Sequence, residues 1–162
     1  MKCFLSLAGF LAITLSASAQ QTNSLGCIDP DTRLLTDEVR QHYAQQGYAV
    51  VRNAMLNMTS QQPFSAVLDM SNTETYQVAF VANKNASQMD TRVIGPGNKE
   101  LLYQNVRVKK EGKRVITFPF RTDRKDAFLF IMQQNVRNEA TCGGFLVFRD
   151  TLKNRTQPVV SF

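Results

Sequence analysis

Few side chains in this sequence are of types that do chemistry, and their spacing narrows the possibilities further. In "NEATCGGFLVF", residues 138–148, Cys142 stands before two glycines and an apolar run. Such a cysteine can ligate a metal, act as a nucleophile, or form half of a disulfide. A zinc site needs about four ligands. The only histidine is His42 and there is no C-x-x-C, so the ligands for a metal are too few. A nucleophile needs a base within reach. His42 is the sole histidine candidate, and nothing in its spacing joins it to Cys142. Asp123 and Asp126, in "RTDRKD", could help hold a calcium ion, but Arg121, Arg124 and Lys125 crowd them. Hard cations want several oxygens and little competing positive charge, so this segment reads as a turn. Phosphate loops, dinucleotide-binding glycines, nucleophile elbows and zincin helices are absent. The expectation is a protein that is not an enzyme, with no cofactor and no metal.

The compartment decides what the cysteines do. The chain opens "MKCFLSLAGFLAITLSASAQ". Lys2 precedes thirteen uncharged residues, Cys3 to Leu15, and Ala17-Ser18-Ala19 supplies small residues at a cleavage site. This is the pattern of an export signal, residues 1–19, cut after Ala19. The alternative is a membrane anchor. Thirteen helical residues reach only about 20 Å, short of the ~30 Å hydrocarbon core. Cys27 lies too far past the apolar run for a lipid attachment site. No later segment is long and apolar enough to span a bilayer. Cleavage removes Cys3 and leaves Cys27 and Cys142 in an oxidising periplasmic or extracellular space, where a lone pair bonds. A Cys27–Cys142 disulfide is therefore expected, tying the N-terminal segment to the last core strand.

Charge is the other signal. Without residues 1–19 the net charge is +5. Residues 92–125 carry ten Lys or Arg against Glu100, Glu111 and Asp123, a net of +7. Much of this excess falls on one turn, "KKEGKR", with Lys109, Lys110, Lys113 and Arg114. One reading is a solvated hairpin tip whose lysines guard a sheet edge. The other is contact with a polyanion: an acidic glycan, lipopolysaccharide, an anionic membrane surface or extracellular DNA. Nucleic acid is the weakest of these, because no nucleic-acid-binding motif accompanies the charge. Three N-x-S/T triplets occur, at Asn57, Asn85 and Asn154.

The elements that must position these residues are mostly strands. Residues 20–35 read as a lead-in. Thr36 as N-cap, Asp37 and Glu38 in the first turn, Val39 and Tyr43 four apart, and Gly47 at the end predict one short helix over about 36–46. Its narrow apolar face suits packing on a sheet. Beyond Gly47 the period is two. "YAVVRNAML", "FSAVLDM", "YQVAFVA", "MDTRVIG", "ELLYQNVRV", "VITFPF", "DAFLFIMQQNV" and "GGFLVFRD" are about eight short strands separated by turns such as "GPGN" at 95–98. That spacing is that of an all-β sandwich or barrel. The strands at 127–132 and 145–148 are apolar on both faces, so they are central, with an outer face covered by the helix or by the Pro158-to-Phe162 tail. An uncovered face near Phe128 to Met132 would instead be a partner-binding patch.

The order "YQVAFVA", "TRVIGPGNKELLYQN", "ITFPF", "DAFLFIMQ", "CGGFLVF" resembles the pre-peptidase C-terminal-like domains of secreted bacterial proteins, over about half of the exported chain. The resemblance implies a jelly-roll-like antiparallel sandwich that binds or stabilises without catalysis. The N-terminal helix and the cysteine pair are additions to that pattern, no peptidase precedes the domain, and no site residue transfers from it. The expected unit is residues 36–150, followed by a tail at 151–162. The expected function is an exported module that binds an anionic macromolecule through the basic turn. The rival readings are a subunit or inhibitor of an envelope protein complex, and an enzyme of unrecognised type with a pocket near His42 or Asp69.

Overall fold

The computed structural model describes residues 27–137 and 140–152. The proposed export signal, Asn154 and the Pro158-to-Phe162 tail lie outside the described residues. A helix, α1 (Pro30–Gln45), precedes eight strands: β1 (Tyr48–Thr59), β2 (Phe64–Met70), β3 (Tyr76–Val81), β4 (Gln88–Ile94), β5 (Glu100–Val106), β6 (Val115–Phe120), β7 (Asp126–Asn135) and β8 (Ala140–Asp150). They form two four-stranded sheets, ordered β1-β8-β3-β6 and β2-β7-β4-β5, with every pairing antiparallel. Consecutive strands alternate between the two facing sheets, except that β4 and β5 pair within one, and the result is a jelly-roll sandwich. No helix among the described residues is long and apolar enough to cross a membrane.

Inward-facing residues of both sheets fill one core. Phe80, Phe120, Phe130 and Phe145 are fully buried there with Met70, Met89 and Met132. Each such side chain contributes on the order of 2–3 kcal/mol by leaving water. Rings meet edge-on, Phe120 against Phe128 at 5.1 Å and against Phe130 at 5.7 Å. The two strands that are apolar on both faces, β7 and β8, are central, each with a partner on either side.

The outer face of β8 is covered by α1. Leu35, Val39 and Tyr43, spaced four apart, pack on Ala79, Val81, Leu146 and Phe148. The Tyr43 ring lies 4.8 Å from that of Phe148. The helix begins six residues before the expected start. Asp29, not Thr36, is the N-cap: its carboxylate accepts from the Asp31 N–H and the Thr32 hydroxyl, and Pro30 takes the first helical position. Proline there loses only an N–H that has no helical partner. Thr36 is buried mid-helix and donates its hydroxyl to the Thr32 carbonyl at 2.7 Å. Gly47 ends the helix at φ +82°, where only glycine is unstrained.

The disulfide joins Cys27 to Cys142 with 5.5 Å between Cα atoms. It closes a separation of 115 residues. In the chain-entropy account such a closure stabilises by roughly 4–5 kcal/mol. It fixes the chain just ahead of the Asp29 cap onto β8, so the helix start and the sheet are bolted at one point.

Candidate functional site: a basic end of the sandwich

The antiparallel pairings make successive strands run in opposite directions, so alternate connections fall at the same end. The β1–β2, β3–β4, β5–β6 and β7–β8 loops therefore share one end with Cys27 and the start of α1. The remaining loops occupy the other. This placement divides the basic run 92–125. Strand β6 separates its two halves by six residues, about 20 Å. Arg107 to Arg114 lie at the first end. Lys99, Arg121, Arg124 and Lys125 lie at the second, with Arg149. At that second end Asp69, Glu74, Glu100, Asp123, Asp126 and Asp150 outnumber the five cations, and Arg124–Asp126 and Arg149–Glu74 pair at 3.3 and 3.1 Å. At the first end Lys84, Arg107, Lys109, Lys110, Lys113, Arg114 and Arg137, with Arg33 of the first turn of α1, outnumber Asp29, Asp31 and Glu111 among the described residues. The positive excess is thus concentrated at one end.

The turn that carries the four residues of the expected basic site is not a hairpin. Strands β5 and β6 belong to different sheets, so residues 107–114 cross from one sheet edge to the other. A single helical turn, α2 (Val108–Glu111), makes the crossing. Val108 anchors it by entering the core, Glu111 accepts from the Arg107 N–H at 3.1 Å, and Gly112 closes it at φ +66°. Burying Val108 turns Lys109 and Lys110 outward, and both are exposed, as is Lys113. Arg114 differs. Its guanidinium donates twice to the Ala82 carbonyl, at 3.3 and 3.4 Å, and lies 3.6 Å from Asp31. It braces the crossover against β3 and the helix. Lys84 is also partnered, 3.7 Å from Asp31.

Lys109 reaches a pocket of about 510 Å³ beside the disulfide, and Arg137 lines it from the β7–β8 loop. Asn83 and Asn85 of the β3–β4 loop share its polar wall with Thr141 and with Asp29, whose carboxylate is taken up by the helix cap and the Asn83 amide. Asn83 is scaffold: its amide donates to Asp29 at 2.7 Å, its carbonyl oxygen accepts from the Asn85 N–H, and its own N–H donates to buried Gln134 at 2.9 Å. The Asn85 side chain is left exposed at the rim. No ion pair among the described residues involves Lys109, Lys110, Lys113 or Arg137. Arg137, Asn83 and Asn85 were not legible as site residues from composition. The signal for them is topological, since their loops are the alternate ones of an eight-strand order.

The residues weighed for catalysis do not converge. His42 is exposed on α1, beside the Gln46 amide at 2.8 Å, while Asp69 is exposed on the outer face of β2, on the far side of the sandwich. Phe128, Phe130 and Met132 point inward and are buried, whereas on the outer face of β7 Ala127 is exposed and Leu129 and Ile131 are half-buried, and α1 packs on β8 instead. No cluster of metal-ligating side chains occurs among the described residues. Two groups among the described residues are held above their ordinary pKa range. Burial raises the Asp90 carboxyl, with Arg92 opposing. Burial also raises the Tyr76 hydroxyl, aided by its hydrogen bond to Glu74.

No family model and no curated relative matches the chain. Solved structures with a similar chain course include one described as "CBM4 structure and function", at 12% identity and TM-score 0.40, covering 64% of this chain and 79% of that one. Another is an arabinose-bound GH51 α-L-arabinofuranosidase, at 11% identity and TM-score 0.32, covering 70% of this chain and 25% of that one. At these values neither likeness informs on ligand or activity.

Proposed function

We propose that this protein is an exported, non-enzymatic β-sandwich module that binds an anionic glycan, such as an acidic polysaccharide or the sugar-phosphate part of lipopolysaccharide, at its basic end. The observation that supports this reading is the asymmetry of charge: among the described residues cations outnumber carboxylates at one end, while carboxylates outnumber cations at the other. Lys109 and Arg137 reach one pocket from two different loops, with the Asn85 amide at its rim, which suits an anionic group carried on a hydroxyl-rich chain. Each exposed cation contributes little alone and is screened by salt. Binding is therefore multivalent and steeply salt-dependent. A disulfide-bonded β-sandwich is compatible with life outside the cytoplasm.

The test compares retention on a sulfated polysaccharide and on lipopolysaccharide as salt rises. Lys109, Lys110, Lys113 and Arg137 are changed together to Ser, and Arg114 is kept because it braces the crossover. A control protein carries Lys99, Arg121 and Lys125 changed to Ser at the other end. The expected result is at least about tenfold weaker binding and a shallower salt dependence for the first variant only. Equal retention of both variants and wild type removes the basic end from the account.

A further inference from the structure

Two four-stranded sheets have four edges, and an unguarded edge is a template for another strand. Three of the four edges here carry a device that blocks such pairing. Strand β1 bulges at Val51, where the register with β8 slips between Val50 and Arg52. Strand β5 bulges at Leu101, between the pairs Val93–Leu102 and Ile94–Glu100. Strand β6 holds Pro119, which has no N–H to offer. Strand β2 has none of these. It pairs with β7 over seven residues without a register shift, has no proline, lysine or arginine, and no described strand covers its other side.

The side chains of β2 are complementary to themselves. Its outer face presents Ser65, Val67 and Asp69, all exposed, with Val67 at 66%. If two copies meet antiparallel about Val67, Val67 faces Val67 of the partner, and Ser65 faces the partner's Asp69. The carboxylate meets a hydroxyl donor rather than another carboxylate. Directly opposed pairs of this kind are the unit of sheet stabilisation. Across each strand, Leu129 of β7 is the register partner of Val67. The apolar row Leu129–Val67 is then continued through the joint into its copy.

We infer that the free edge of β2 is a self-association site, through which two copies of this chain join their β2-β7-β4-β5 sheets into one continuous sheet of eight strands. The partner is committed by the match of Ser65, Val67 and Asp69 to their own antiparallel image. The joint is small, so the dimer is weak and concentration-dependent. Because the joined strands run in opposite directions, the two basic ends lie at opposite ends of the dimer. The inference is independent of what those ends bind.

Sedimentation of the disulfide-bonded, exported chain, raised to about 0.5 mM, tests it. The expected result is a monomer–dimer equilibrium. Val67→Lys alone and Val67→Glu alone are each expected to remain monomeric, since like charges face each other at the joint, and an equimolar mixture is expected to dimerise again. Val67 is exposed, so both variants fold, which their thermal unfolding confirms. A wild type that stays monomeric overturns the inference. So does a Val67→Lys dimer, or a mixture that stays monomeric.

Discussion

Gln134 shows how a single polar side chain holds this sandwich. It follows Phe128, Phe130 and Met132 in the inward alternation of β7 and is completely buried. Its amide donates to the Cys142 carbonyl at 3.0 Å, and its oxygen accepts from the Asn83 N–H at 2.9 Å. It thus links the disulfide strand to the loop that lines the basic pocket. Gln134→Leu fills similar volume but leaves both backbone groups unpaired. The expected cost is about 1–3 kcal/mol, read by denaturant unfolding. A change within about 0.5 kcal/mol means that both groups find other partners. Gln134 continues the inward alternation of β7, but its partners belong to other segments and are invisible in sequence. The cysteines were easier to read, because the expected loss of Cys3 with an export signal left each only one partner. Arg114 was read by its charge alone, and its bracing role was out of reach for the same reason. Its charge is local, but the Ala82 carbonyl and Asp31 that hold it are distant in sequence.

The glycines after Cys142 act at the level of elements. A methyl at Gly143 would lie 2.7 Å from the Met58 sulfur, inside the core, and one at Gly144 would collide with the Thr36 hydroxyl on the other side. Bare backbone here lets α1 approach β8. Gly144→Ala is expected to push the helix from the sheet and to cost about 1–3 kcal/mol. Thr36→Ala removes the struck atoms, so the double variant is expected to lose less than the sum of the two singles. Strict additivity in a double-mutant cycle would show that the helix and β8 adjust independently. The strands were legible from their period of two and their turns. The helix was found but started late, because Asp29-Pro30 is a cap whose helix carries Thr32 and Thr36 where apolar residues were sought. The basic crossover was read as a hairpin because a turn between two strands looks the same in sequence whether its strands share a sheet or face each other.

At the scale of the molecule, eight strands and a sandwich follow from the period of two and the turn spacing, while the strand order does not. The order is what sorts the loops into two ends, and with them the charges. A net of +7 along residues 92–125 described one basic segment, whereas the fold folds half of it away to an end rich in carboxylates. It also brings in Lys84 and Arg137 from outside that segment. The most direct test of binding at this end is an amide NMR titration of the oxidised protein with a short sulfated oligosaccharide at low salt. Shifts are expected at 83–87, 107–114 and 136–137, and should fade as salt is raised. Shifts centred on 95–99 and 121–125, or on the outer face around Arg92 and Tyr103, would contradict the account.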